Sequence, residues 1–226
     1  MSQLALPLRL QDHAVFESFL PSGNESLLAY LDTLAAAPDG PGCWIWGARA
    51  TGKTHLLQAL CERLRDNAMY LPLAEFSAAG SELLDGLATR QFVCLDDIDR
   101  IAGDPTWELG LFELCNQLAD ANGILVVSAK AAPRESGFAL ADLLSRLSRL
   151  PAFHVKPLDD AARVEALQLR ARHRGLELPA ETARFLLARG RRDMSSLYET
   201  LDKLEREALK AKRRLTIPFV RDTLGL

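Results

Sequence analysis

One motif constrains this chain more than any other feature: Gly47-Ala48-Arg49-Ala50-Thr51-Gly52-Lys53-Thr54. It fits the phosphate-loop pattern GxxxxGK[ST], which requires a strand before it and a helix after it. The apolar run Cys43–Trp46 predicts that strand, and leucines at helical spacing from Leu56 onward predict the helix. Glycines let such a loop turn tightly, so that its backbone N–H groups surround a phosphate at the helix N-terminus. The motif therefore predicts nucleotide binding.

Two side chains of the motif have direct chemical roles. Lys53 is expected to reach the β- and γ-phosphates, and Thr54 is expected to hold Mg²⁺. The residues expected to contact the nucleotide are Gly47, Ala48, Arg49, Ala50, Thr51, Gly52, Lys53, Thr54 and the adjoining His55.

A second apolar run, Phe92–Leu95, ends in the carboxylates Asp96 and Asp97. A carboxylate at the C-terminal end of a parallel strand can hold Mg²⁺ opposite a phosphate loop. We expect Asp96 to bind the metal and Asp97 to orient an attacking water. An aspartate pair that caps a helix is the alternative interpretation.

Ser128 ends the next predicted strand, Ile124–Val127. Its hydroxyl is a candidate hydrogen-bond partner for the γ-phosphate or the attacking water, although a polar strand end without a catalytic role is also compatible with the pattern. Arg146 lies in a helix beyond this strand. The pattern alone gives it no role beyond that of a solvated helix residue.

Strands alternate with helices up to about residue 157, which predicts an α/β core with a parallel sheet and helices on both faces. One of these helices is expected over Ser77–Ala88. After this point the pattern is purely helical. The predicted divisions are an extended tail at 1–12, a nucleotide-binding core at 13–157 and a helical lid domain at 158–226.

Charge and composition exclude several classes of protein. The net charge of −3 divides into −7 for residues 1–157 and +4 for residues 158–226, so the whole chain is no obvious polyanion binder. Its four cysteines are widely spaced and predict no zinc site. The sequence shows neither a membrane-length apolar run nor a secretory signal, so we expect a cytoplasmic protein without membrane contact.

The chain contains, in order, a phosphate loop, a strand that ends in acids, a strand with a polar end, a helix that carries an arginine and a helical lid. This order of motifs resembles that of AAA+ ATPases. The segments that resemble the DnaA branch are Gly52–Leu57, Leu95–Asp99, Leu144–Leu147 and Val15–Phe19 followed by Gly23-Asn24. The segments that resemble, within that branch, the Hda family of DnaA-homologous regulatory inactivators are Gln3–Leu8, Gln168–Arg172 and Leu215–Val220. The resemblance covers essentially the whole chain. Its phosphate loop is generic, whereas the N-terminal and lid segments are specific.

The resemblance implies a negative regulator of chromosomal replication initiation that binds ADP or ATP with Mg²⁺. It implies an N-terminal peptide that docks on the sliding clamp, the β subunit of the DNA polymerase. The protein would then contact DNA only indirectly, through the clamp. The residues of that peptide are Gln3, Leu4, Leu6, Pro7 and Leu8. Arg146 is implied to be an arginine finger that acts in trans on ATP held by DnaA. A frayed terminus remains the alternative for the peptide, and a homo-oligomer is compatible with the family.

Two positions depart from the family pattern. Ala50 stands where the branch often has glycine, and Ser195 stands where the lid motif has arginine. Arg191 or Arg192 is a candidate substitute for that arginine, and we include Arg192 among the nucleotide-binding candidates. Without a substitute, the chain's own ATP hydrolysis would be weak or absent while nucleotide binding would remain.

Three functional hypotheses follow from these residues. The first is the clamp-bound regulator of DnaA. It is favoured over an initiator because no helix-turn-helix segment for reading origin DNA follows the lid in this sequence. The second is an AAA+ ATPase that loads a helicase or a clamp, and the third is a scaffold in which the phosphate loop holds ADP structurally. The basic residues of the lid are interleaved with acids, which favours solvated helix faces over a DNA-binding surface.

Overall fold

A computed structural model describes residues 14–191 and 193–226. The predicted tail at 1–12 therefore lies outside the described residues. The strands are β1 (Gly42–Trp46), β2 (Ala68–Pro72), β3 (Phe92–Asp96), β4 (Ile124–Ala129) and β5 (Ala152–His154). They form one parallel sheet in the order β2-β3-β4-β1-β5. Because parallel strands need crossover connections, helices cover both faces of the sheet, as the sequence pattern predicts.

Within the described ranges, helices alternate with strands as far as β5, and the helices after β5 follow one another without further strands. They are α1 (Glu25–Ala36), α2 (Lys53–Leu64), α3 (Leu73–Phe76), α4 (Pro105–Asp120), α5 (Ala141–Leu147), α6 (Asp160–His173), α7 (Ala180–Arg189), α8 (Met194–Ala211) and α9 (Ile217–Leu224). Short 3₁₀ turns occur at Phe16–Ser18, Arg65–Asn67, Ser77–Ala79, Ser81–Leu84, Leu87–Thr89, Ile98–Arg100 and Pro133–Glu135.

The sheet separates two apolar clusters. Helices α1 and α2 pack on one face, where Leu31, Leu57 and Ile45 are fully buried. Helices α4 and α5 pack on the other face around Trp44 and Leu111. The strands are buried on both faces, which explains why they appear in the sequence as continuous apolar runs rather than as alternating patterns.

The prediction of a helix over Ser77–Ala88 is wrong. The structure places three 3₁₀ turns in this region, separated by Gly80 and Gly86. These glycines adopt positive φ angles of 102° and 76°, which a right-handed helix does not permit. The apolar residues that suggested a helix, such as Leu84 and Leu87, are nevertheless buried.

Helices α6 to α9 enclose a third apolar cluster of their own, which includes Leu167, Leu201 and Phe219. The Asp159 side chain accepts a hydrogen bond from the backbone N–H of Ala162 and so caps α6. Leu20, which belongs to the segment before α1, packs against this cluster and joins the helical region to the sheet. Within the described ranges, no helix has the length and apolarity needed to span a membrane.

Candidate nucleotide-binding site

The phosphate loop connects β1 to α2, as the motif predicts. Its backbone takes positive φ angles at Gly47 (151°), Ala50 (60°) and Gly52 (100°). A side chain at Gly47 could not be accommodated, because a Cβ there would lie 2.8 Å from the carbonyl oxygen of Val155. Ala50 occupies a left-handed conformation that glycine adopts without strain, so the departure noted in the sequence has a local energetic consequence.

Lys53 is the buried cation of this loop. Its ammonium group donates to the carbonyl oxygens of Gly47 and Ala48, both at 2.9 Å. An ammonium group has three protons, so one remains for a phosphate oxygen. Burial lowers the pKa of Lys53, and the nearby carboxylates of Asp97 and Asp96 partly counteract this effect. The loop therefore has the open backbone and the oriented cation that a nucleotide phosphate requires.

The remaining predicted loop contacts are also placed at this end of the sheet. Thr54 lies exposed in the first turn of α2, with its hydroxyl available for a metal. Arg49 is exposed, and the Thr51 hydroxyl donates to the carbonyl of Ala48 at 3.0 Å, which ties the loop to itself.

Asp96 is a buried carboxylate at the end of β3 and is held by two hydroxyl groups. Tyr70 donates from its hydroxyl to Oδ2 of Asp96 at 2.8 Å, and Ser128 donates from its hydroxyl to Oδ1. The Ser128 oxygen in turn accepts the backbone N–H of Asp97 at 2.9 Å. Strand β4 lies between β1 and β3, so Ser128 stands between the phosphate loop and the two acids.

The structure brings the separate candidates Asp96, Asp97 and Ser128 together. Sequence reasoning missed Tyr70. This residue lies on β2, beside β3, and its pairing with Asp96 depends on strand order. Mg²⁺ in nucleotide sites is usually held by one or two carboxylates together with phosphates and water. The hydroxyl of Thr54 and the carboxylate of Asp96 are a donor set of this kind.

The surroundings of Asp97 raise the pKa of its carboxyl group. Burial raises its pKa, the charges of Asp96 and Asp99 raise it further, and Lys53 lowers it. Its backbone is left-handed, with φ of 55°. Asp99 is paired with Lys130, whose Nζ lies 2.8 Å from Oδ2. Neither Asp97 nor Asp96 has a side-chain cation within ion-pair distance among the described ion pairs.

The segment before α1 lies directly over the phosphate loop. The edge of the Phe19 ring would lie 2.7 Å from a Cβ at Gly52, so these two residues are in close contact. His55 Nε2 lies 2.8 Å from the carbonyl oxygen of Val15, and His173 Nε2 lies 2.8 Å from that of Glu17. The segment is therefore joined to the phosphate-loop helix by one histidine and to the lid helix α6 by another.

Asn24 fixes the connection between the core and the lid. Its side chain accepts the backbone N–H of Lys156 at 2.8 Å and donates to the carbonyl of the same residue at 3.3 Å. The roles of Asn24, Phe19 and His173 were not predicted residue by residue. The resemblance of Val15–Phe19 and Gly23-Asn24 to the DnaA branch was the signal that pointed to this segment.

Arg146 lies in α5, on the sheet face opposite α2. Its guanidinium stacks on the ring of Phe112, with 5.1 Å between the guanidinium carbon and the ring centre. The side chain is half-buried, and no carboxylate lies within ion-pair distance among the residues that the structure describes. The structure therefore does not bring Arg146 together with Lys53 and the acids of its own subunit.

The position of the missing lid arginine is exposed. Ser195 lies in the first turn of α8, and Arg191 points to solvent with a 3.3 Å ion pair to Asp193. Arg192 lies outside the described residues. Arg170 of the lid is buried, and its guanidinium carbon lies 4.3 Å from the centre of the Tyr198 ring. The predicted clamp-binding residues Gln3, Leu4, Leu6, Pro7 and Leu8 also lie outside the described residues.

Two families match the sequence. The family described as the bacterial DnaA ATPase domain matches residues 10–150, and the family described as the lid domain of Hda matches residues 160–224. The first match contains the phosphate loop, the acids of β3 and Arg146. The second contains the four helices that follow the sheet.

Solved structures have the same fold. Domain III of the replication initiation protein DnaA from Thermotoga maritima is 20% identical, with a TM-score of 0.77, and the alignment covers 96% of this chain and 98% of that chain. AMPPCP-bound DnaA from Aquifex aeolicus is 19% identical with a TM-score of 0.70, and 87% of this chain aligns with 66% of that chain. The Holliday junction branch migration motor RuvB from Thermotoga maritima is 15% identical with a TM-score of 0.65, and the alignment covers 96% of this chain and 73% of that chain.

Proposed function

Because the chain belongs to the bacterial DnaA ATPase family and its helical region is a lid of the Hda type, we propose that it is a clamp-tethered negative regulator of replication initiation. In this function it holds ADP or ATP, docks on the DNA polymerase sliding clamp through Gln3–Leu8, and stimulates hydrolysis of the ATP bound to DnaA. Its cellular location would be the cytoplasm, where DnaA and the clamp act.

The observation that carries the proposal is the position of Arg146 relative to the phosphate loop. The Phe112 ring holds its guanidinium on the face of the sheet opposite the helix that bears Lys53. A charge placed there is available to the nucleotide of a neighbouring molecule rather than to that of its own subunit. An arginine finger supplied in trans accelerates phosphoryl transfer by ~10³–10⁵ because it stabilises charge on the transferring group.

The chain's own site supports nucleotide binding more strongly than turnover. Lys53 and the loop backbone fit phosphates, and Thr54 and Asp96 would hold Mg²⁺, which neutralises charge on the phosphates when it is bound. Both oxygens of Asp96, however, accept hydroxyl donors, and Ser128 is engaged with Asp96 and with the Asp97 backbone. With Ser195 in place of the lid arginine, we propose that hydrolysis in cis is weak and that the bound nucleotide is long-lived.

The experiment that tests the proposal has two steps. A pull-down with purified sliding clamp tests tethering, and DnaA-ATP turnover is then measured with clamp loaded on DNA, with clamp free in solution and without clamp. The proposal predicts capture by the clamp and fast turnover only with loaded clamp. If the pure chain instead hydrolyses ATP at a steady rate and leaves DnaA-ATP unchanged, the chain is an ATPase motor or loader in its own right.

A further inference from the structure

Helix α4 contains a buried carboxylate that the proposed function does not use. Glu108 is only 2% exposed, and no cationic side chain pairs with it among the described residues. It accepts hydrogen bonds from backbone N–H groups only: Gly103 at 2.7 Å, Ala139 at 3.0 Å to each oxygen, and Leu140 at 2.6 Å. A charge buried in this way must be satisfied, and these three donors satisfy it.

The donors come from two different loops. Leu140 is the residue that caps the N-terminus of α5, and Ala139 precedes it. Gly103 lies in the loop that follows the acids of β3 and the turn Ile98–Arg100. One side chain on α4 therefore joins the start of the helix that carries Arg146 to the loop beyond Asp96 and Asp97.

The same helix α4 also contacts the other end of α5. Phe112 follows Glu108 by one helical turn, so both side chains project from the same face of α4. The Phe112 ring lies under the Arg146 guanidinium. Helix α5 spans only seven residues, Ala141–Leu147, with Leu143 and Leu147 buried beneath it. Glu108 thus fixes where this short helix begins, and Phe112 supports the cation near its end.

We propose that Glu108 is a positioning residue for Arg146, which it orients by binding the backbone at the start of α5. This inference rests on the proposed role of Arg146 as a finger. A finger acts only when its guanidinium is held at the reacting phosphate, and an error of about 1 Å in placement can cost ~10²-fold in rate. A carboxylate that accepts several backbone N–H groups holds a loop more firmly than an apolar side chain of the same size can.

The test is a double-mutant cycle with Glu108→Gln and Arg146→Ala, read as single-turnover hydrolysis of ATP on DnaA at saturating protein. The amide keeps the shape of the side chain but has one acceptor oxygen, so it can accept the N–H of Gly103, which binds Oε1 of the glutamate, or that of Leu140, which binds Oε2, but not both. Glu108→Gln should lower the maximal rate at least tenfold and leave the affinities for nucleotide and clamp unchanged. The double variant should be no slower than Arg146→Ala alone, because Glu108 acts through Arg146.

Two controls separate positioning from general destabilisation. Glu62→Gln makes the same change at an exposed site of α2 and should retain the wild-type rate. Leu31→Ala removes a buried side chain on the opposite sheet face and should lower the thermal midpoint without lowering the rate. Hydrogen exchange of Glu108→Gln should quicken in peptides covering residues 138–147 and remain unchanged over residues 47–55.

The outcomes distinguish this inference from the proposed function. If Arg146→Ala leaves the rate unchanged, the finger itself is refuted, whatever Glu108 does. Two results would refute positioning by Glu108 while Arg146 remains the finger, provided that Arg146→Ala abolishes stimulation. Either Glu108→Gln stimulates hydrolysis on DnaA at the wild-type rate, or the double variant is slower than Arg146→Ala alone. A rate loss in Leu31→Ala equal to that in Glu108→Gln would also overturn the inference.

Discussion

The guanidinium carbon of Arg146 lies 5.1 Å from the centre of the Phe112 ring. This contact uses the aromatic face to hold a cation that has no carboxylate partner in the described part of the chain. An unneutralised guanidinium at the surface is suited to an anionic group on another molecule. The phosphate loop, in contrast, already has its own cation in Lys53.

Lys53→Ala should weaken ADP binding at least tenfold, which corresponds to about 1.4 kcal/mol. The reason is that Lys53 is the buried charge of the loop and also holds the carbonyl groups of Gly47 and Ala48 in place. Isothermal titration calorimetry measures the affinity directly, with the exposed lid variant Lys210→Ala as the control. Unchanged ADP affinity in Lys53→Ala would remove the phosphate-loop interpretation.

Ala50→Gly should stabilise the protein by up to about 1 kcal/mol, because Ala50 has φ of 60° and glycine adopts that conformation without strain. Denaturant unfolding of the apoprotein checks this value. Ala29→Gly, at an exposed position in the interior of α1, is the matched control, and it should destabilise by about 1 kcal/mol, as glycine does inside a helix. Equal losses for the two variants would contradict the strained conformation.

The elements around the phosphate loop could be predicted because local signals specify them. The motif from Gly47 to Thr54 has fixed spacing, and the buried strands are continuous apolar runs bounded by turns. The helix expected over Ser77–Ala88 was wrong because the apolar spacing there does not reveal that Gly80 and Gly86 have positive φ angles.

The unpredicted site residues share a different property, which is distance along the chain. Tyr70 and Asp96 are 26 residues apart, and Glu108 and Leu140 are 32 residues apart. Each pair meets only because strand order or helix packing brings it together. Periodicity and motif spacing carry no information about such contacts. The sequence therefore indicates Asp96 and Ser128, and the family resemblance indicates Arg146, but neither indicates Tyr70 or Glu108.

His55→Gln should flatten the dependence of stability on pH. Burial lowers the pKa of His55 below its usual 6.5, with the Val15 carbonyl opposing this effect and the Arg170 charge adding to it. As the pH falls, the unfolded chain therefore binds the proton first. The contribution of neutral His55 to the free energy of unfolding is therefore fully present above about pH 6.5. It is lost as the pH falls through the lowered pKa of the folded state.

The measurement for His55 is the free energy of unfolding of the wild type and of His55→Gln from about pH 7.5 to about pH 5. The advantage of the wild type, which is its free energy of unfolding minus that of His55→Gln, should decrease steadily as the pH falls over this interval. Other titrating groups are common to both proteins and cancel in the difference. An advantage that does not change with pH would contradict the buried, neutral histidine.

Deletion of residues 1–8 should abolish binding to the sliding clamp and leave the thermal midpoint nearly unchanged. The apolar anchors Leu6 and Leu8, with Gln3, lie in one short segment that a groove on a partner can bind in extended form. Surface plasmon resonance on immobilised clamp, with a tail of the same composition in scrambled order as the control, checks binding. Retained binding would place the docking surface elsewhere, and a large loss of stability would make the tail part of the core.

The most direct test of trans activation is single-turnover phosphate release from preformed DnaA-ATP, with clamp loaded on DNA and either wild-type protein or Arg146→Ala added. The variant should keep its own ADP affinity and clamp affinity, because Arg146 contacts neither Lys53 nor the acids of β3 in the described structure. It should lose most of the stimulated rate, since a finger contributes ~10³–10⁵ to phosphoryl transfer. Equal rates for the two proteins would contradict the finger assignment, and a loss of ADP affinity in the variant would place Arg146 in its own nucleotide site.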